Sequence, residues 1–108
     1  MSESAPARVL FVEDVDLMAR IYGGRLAAAG LVVDRARTGR DAIGLCAAAT
    51  YDLLLLDLTL PDMSGLDVLA TLRRDTTRSA PPTIVLTNAT DPRQRSAARA
   101  AGAMGVLV

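Results

Sequence analysis

The chain is expected to fold as an α/β domain, a doubly wound parallel five-stranded sheet, and three observations carry that expectation. Short apolar runs alternate strictly with helical patterns, five of the first and four of the second. The runs are continuous, as in RVLFV, LLLL and TIVL, rather than alternating apolar with polar, which is the pattern of strands covered on both faces. Three of them end abruptly in oxygen-bearing residues: Glu13-Asp14, Asp57 and Thr87-Asn88.

Taken in order, Arg8 to Val12 is the first strand, and a helix from about Val15 to Ala29 follows, stopped by Gly30. Leu31 to Ala36 reads as the second strand, and Thr38-Gly39 opens a helix that runs through AIGLCAAA. Leu53 to Leu56 is the third strand, followed by a Pro- and Gly-bearing loop and a helix from about Gly65 to Arg74. After the polar break DTTRSAPP comes the fourth strand, Thr83 to Leu86. Asp91-Pro92 has the form of an N-cap with proline at the first helical position, starting an Ala- and Arg-rich helix that stops at Gly102. GVLV is the fifth strand. Right-handed crossovers restrict such a chain to a few doubly wound arrangements, in which ligands bind beyond the carboxyl ends of the strands.

Composition narrows the chemistry. The 108 residues make one domain, with 12 basic and 12 acidic residues, so bulk attraction to nucleic acid or to an anionic membrane is not indicated. Every basic residue is Arg; without Lys or His the chain has no amine or imidazole catalyst of its own. Any phosphohistidine must come from a partner. Cys46 is alone, which rules out an intrachain disulfide, suits a reducing cytoplasmic setting and reads as a small apolar residue on a buried helix face. MSESAPAR lacks the apolar core of a signal peptide, and Leu53 to Leu56 is far too short to span a bilayer.

The strand ends carry the site. If the strands are neighbours, Glu13, Asp14 and Asp57 meet on one rim, where their charges repel unless a cation compensates. A hard divalent ion, Mg²⁺ for preference, fits carboxylates together with a backbone carbonyl and water, and that combination suits phosphoryl chemistry. Read singly, Asp57 is a strand end and Glu13-Asp14 a helix cap, ordinary work for acids. Thr87 alone is a strand-end hydroxyl. Met63, Leu66 and Leu69 read as packing residues, Arg73-Arg74 as a solvated helix end, and Arg93, Arg95 and Arg99 as an exposed face.

The sequence VLFVED, then LLLLDLTLPDMSGLDVL, then IVLTNAT, then AGAMGVLV resembles the receiver domain of bacterial two-component response regulators over nearly its whole length, from about Arg8 onward. The resemblance implies a flavodoxin-like strand order 2-1-3-4-5 and a phosphoacceptor signalling domain rather than an enzyme. It implies Asp57 as phospho-acceptor, Asp14 as the main metal-binding acid, Glu13 as a second acid holding Mg²⁺, Thr59 as donor of a backbone carbonyl to the metal, and Thr87 as the switch hydroxyl. Pro61 and Gly65 match the loop after the acceptor strand. The implied partners are a histidine kinase or histidine phosphotransfer protein, with an output domain or downstream protein and a homodimer left open; nucleic acid and membrane are not expected for these residues.

The departures are specific. The family's lysine after the fifth strand has no counterpart, Val106 stands where an aromatic residue is usual, and the last helix is absent from residues 1–108. The expectation is a receiver domain cut after its fifth strand, with apolar surface exposed there and phosphorylation weakly coupled to output. Two other classes stay open at this level. A degenerate receiver acting as a phosphorylation-independent interaction module needs no Mg²⁺. An Asp-nucleophile phosphatase similar to the haloacid-dehalogenase-like enzymes needs a second acid where Thr59 stands and a nucleophile on the first strand rather than the third.

Overall fold

The computed structural model describes residues 5–87 and 92–107; Asn88, Asp91 and Val108, on which parts of the sequence reading fall, lie outside them. The elements are β1 (Arg8–Val12), α1 (Asp16–Ala28), β2 (Val32–Ala36), α2 (Gly39–Ala48), β3 (Leu53–Asp57), α3 (Gly65–Arg74), β4 (Thr83–Leu86), α4 (Pro92–Ala100) and β5 (Gly105–Leu107). All strand pairs are parallel, in the order β2-β1-β3-β4-β5. The order reverses between β1 and β3, which places the expected binding crevice beyond their carboxyl ends.

Two apolar layers hold the sheet. Side chains of successive strand residues point to opposite faces. Leu10, Val12, Leu54, Leu56 and Val85 accordingly pack with Ala42 and Cys46 of α2, Val68 and Leu69 of α3 and Ala98 of α4. Val9, Phe11 and Leu55 form the other layer, against Leu26 of α1. Leu10, Leu54 and Leu56 are fully buried, and each contributes roughly 1.5–3 kcal/mol by leaving water. Cys46 lies in this core, where burial raises its thiol pKa. Met63 and Leu66 pack against the same layer, and Leu69 is buried within it. Met104, just before β5, and Leu107, its last residue, are 69% and 55% exposed. No helix among the described residues is long and apolar enough to cross a membrane.

Helix ends follow local chemistry. Thr38 caps α2 by accepting from the Asp41 amide at 3.0 Å, and Ser64 caps α3 by accepting from Leu66 at 3.1 Å. Gly30 has φ +93° and Gly102 φ +107°, the left-handed conformation that closes a helix. The strand read from Leu31 begins one residue later, because the Leu31 amide returns to the Leu26 carbonyl at 3.2 Å to finish the turn after α1. Two surface readings need correction. Arg73 is not simply solvated: its Nε donates to the Ala101 carbonyl at 2.9 Å and Nη2 to that of Gly102 at 3.3 Å, tying α3 to the turn before β5. Arg95 is only half-exposed, with its Nε buried.

Candidate functional site

β1 and β3 are hydrogen-bonded neighbours with Val12 opposite Leu56, so the residues that follow come out side by side. Carboxylate oxygens of Glu13, Asp14 and Asp57 lie within 4.8 Å of one another. Asp57 is the last residue of β3 and is half-buried, as is Asp14; Glu13 is buried. The capping role does not account for the first pair: the N-cap of α1 is Val15, in extended conformation and without a side-chain bond. Asp57 Oδ1 accepts from the Thr59 amide at 2.9 Å, a local turn that fixes the carboxylate.

Glu13 is the most strained electrostatically. Its Oε2 is buried without a hydrogen-bond partner. Burial, first, and then the adjacent carboxylates of Asp57 and Asp14 push its pKa up to about 8. A buried carboxylate oxygen without a hydrogen-bond partner, clustered with two more acids, fits a hard cation with oxygen ligands, and the donor set matches Mg²⁺.

The loop after Asp57 is held from three sides. The Gly65 amide donates to the Leu58 carbonyl at 2.9 Å, and a Cβ on Gly65 would stand 2.4 Å from the Asp57 carbonyl oxygen, so only glycine lets α3 start this close to β3. Thr59 and Ser64 pair across the loop that contains Pro61. Asp62 accepts from the Gly39 and Arg40 amides at 2.9 and 3.0 Å, capping α2 from outside that helix. Those bonds hold its carboxyl below the usual range.

Thr87 follows β4, whose Leu86 is opposite Asp57 in register, and is buried. Its Oγ1 donates to Gln94 Oε1 on α4 at 3.3 Å. Thr59 is exposed at the rim. Glu13, Asp14 and Asp57 are thus brought into one cluster, with Thr59 bonded to Asp57 and Thr87 at the end of the adjoining strand. Arg35, Asp62 and Gln94 were not singled out from the sequence. Asp62 sits one residue after Pro61 and had a local signal as a loop acid; Arg35 and Gln94 had none.

Comparison with known proteins places this geometry. The model of the response regulator receiver domain matches residues 9–108. The sensor histidine kinase AruS of Pseudomonas aeruginosa is 39% identical over 101 residues, 92% of this chain and 10% of that protein. The chain spans about a tenth of the length of the first curated relatives it matches. Chemotaxis response regulator CheY4 of Vibrio cholerae superposes with a TM-score of 0.89 at 30% identity, covering 96% of this chain and 87% of that one. Response regulator TrrA of Thermotoga maritima, solved in complex with Mg²⁺ and BeF, gives 0.82 at 27% identity, covering 94% and 85%. With the sheet order, the acid cluster and the match over residues 9–108 agreeing, the chain belongs to the response regulator receiver domain family.

Proposed function

We propose that residues 1–108 act as one receiver domain that takes up a phosphoryl group on Asp57 from a phosphohistidine of a sensor kinase or histidine phosphotransfer protein in the cytoplasm. The observation that carries the reading is the convergence of Glu13, Asp14 and Asp57, with the Glu13 Oε2 orphaned among them. Glu13, Asp14, Asp57 and the Thr59 backbone carbonyl would hold Mg²⁺, which when bound neutralises charge on the phosphoryl oxygens. That the similar response regulator TrrA was solved in complex with Mg²⁺ and BeF supports a Mg²⁺ ion in this fold.

The chain's own part is positioning. The Thr59 amide holds one oxygen of Asp57. A carboxylate oxygen attacks phosphorus, the phosphorus–nitrogen bond breaks, and the imidazole leaves with the electron pair, producing an acyl phosphate on Asp57. This adds negative charge and acceptor oxygens at the rim. Thr87 then turns toward the phosphoryl group and gives up Gln94, which passes the change to α4 and so to a following output domain or a separate partner.

The test is incubation with acetyl phosphate and Mg²⁺ followed by intact-mass spectrometry. Wild type is expected to gain about 80 Da, the mass of one phosphoryl group, and Asp57→Asn to gain nothing. A wild type that gains no mass, or a variant that gains as much, overturns the reading.

A further inference from the structure

We propose that Arg35 is a positioning residue for the metal site, stapling the turn that carries Asp14. This rests on the metal-site reading above. β2 contributes no acid to the cluster, yet Arg35 lies opposite Phe11 in the β1–β2 register and its side chain reaches the carboxyl end of β1. Nε and Nη2 both donate to the Glu13 carbonyl, at 3.0 and 2.8 Å. Nη1 donates to Asp16 Oδ1 at 2.6 Å. One guanidinium therefore joins the two ends of the segment Glu13 to Asp16 and closes it across its base.

The segment needs such a tie. Its start is fixed by the Glu13 amide, which donates to Ala36 at 3.0 Å, but the helix that follows begins at Val15 without a side-chain cap. Asp14, between the two, has to present its carboxylate to Glu13 and Asp57. A planar fork with fixed donor directions holds a carbonyl and a carboxylate in set relative positions, which an ammonium point charge does not. The geometry also argues against an ordinary surface ion pair. The Arg35 side chain is 25% exposed, and two of its three bonds go to an uncharged backbone oxygen. Arg37 provides an internal comparison: it pairs with the same Asp16 oxygen at 2.6 Å from an exposed position, with its own side chain 60% exposed.

The experiment compares wild type with Arg35→Gln, Arg35→Lys and Arg37→Gln in two measurements. In metal-free protein, amide exchange is read at Glu13, bonded to Ala36, and at Ala19, bonded to Val15 as the first turn of α1. Mg²⁺ affinity is then read by calorimetry. Arg35→Gln is expected to exchange faster at both amides and to bind Mg²⁺ about tenfold more weakly, the scale seen when outer-shell partners of metal ligands are removed. Arg35→Lys, which keeps the charge and loses the fork, is expected to stay near Arg35→Gln, while Arg37→Gln remains within about twofold of wild type.

The staple is overturned if Arg35→Gln binds Mg²⁺ as wild type does. It is also overturned if Arg35→Lys restores affinity or Arg37→Gln loses as much, since charge alone then explains the effect. A wild type that binds no Mg²⁺ would instead sink the metal-site reading, and the inference with it.

Discussion

Replacing Gly65 and Gly44 by alanine, one at a time, separates helix propensity from local space, because both glycines lie in helices and meet very different surroundings. A Cβ on Gly44, in the exposed interior of α2, has nothing within 4 Å. On Gly65 it would lie 2.4 Å from the Asp57 carbonyl oxygen and 2.9 Å from Leu58 Cα, both backbone atoms that cannot rotate away. Alanine is worth up to about 1 kcal/mol over glycine inside a helix, so Gly44→Ala should stabilise by about 0.5–1 kcal/mol. At Gly65 the start of α3 must retreat by about 1 Å, at a cost of about 1–3 kcal/mol for overpacking and about 1 kcal/mol for weakening the 2.9 Å bond from Gly65 to Leu58. Less the propensity gain, Gly65→Ala should destabilise by about 1–3 kcal/mol. Urea unfolding with unchanged slope reads both values. The same shift displaces the Asp57 peptide, so Mg²⁺ affinity should fall for Gly65→Ala and hold for Gly44→Ala. Two alanines that stabilise equally would refute the close-approach argument.

Tyr51 gives a pH dependence. Burial, then the 2.7 Å bond to Asp34 and its charge, push the phenol pKa up to about 12 from 10.0. The raised value means the neutral phenol is favoured in the folded state, so its contribution is complete below pH 10.0 and disappears as pH rises toward 12. Wild type should lose about 2 kcal/mol across that window, and Tyr51→Phe should lack this increment; parallel profiles in alkaline unfolding would contradict it. Asp62→Ala should lower the melting temperature by freeing the Gly39 and Arg40 amides, with Asp41→Ala, an exposed acid one residue further along α2, as a charge control. Mg²⁺ at a hundredfold excess over its dissociation constant should stabilise wild type by about 2.7 kcal/mol, and NaCl at equal ionic strength should not reproduce the gain.

The parts of the fold that were legible in the sequence are those set by neighbours along the chain. Continuous apolar runs marked β1, β3 and β4, and the acids after two of them identified the rim where the strand order reverses. Thr38 and Gly30 signalled a helix start and a helix stop through local bonding. What escaped depends on contacts across the sheet. Arg35 reaches Glu13 only because β2 pairs with β1 in one register, and Arg73 meets Gly102 only because α3 and the end of α4 lie on the same face. An arginine on a strand or at a helix end looks the same in sequence whether it is solvated or bonded to a distant carbonyl.

Charge shows the same division between chain and site. The protein is formally neutral, with 12 acids against 12 arginines, yet this balance is not spread evenly. Arg8 pairs with Asp34, and Arg35 and Arg37 pair with Asp16. Among the described residues no arginine forms an ion pair with Glu13, Asp14 or Asp57. The arginines near the carboxyl end of β1 therefore neutralise the acid that begins α1 and leave the three clustered carboxylates to repel one another. In the proposed reaction, a direct guanidinium pair at Asp57 would occupy the oxygen that is to reach phosphorus and would compete with a divalent ion for the same lone pairs. Arg35 avoids that conflict by bonding the Glu13 carbonyl instead of its carboxylate. In the proposed role it orders the acidic turn while leaving the acids available, as the proposed metal-dependent uptake of an anionic phosphoryl group requires.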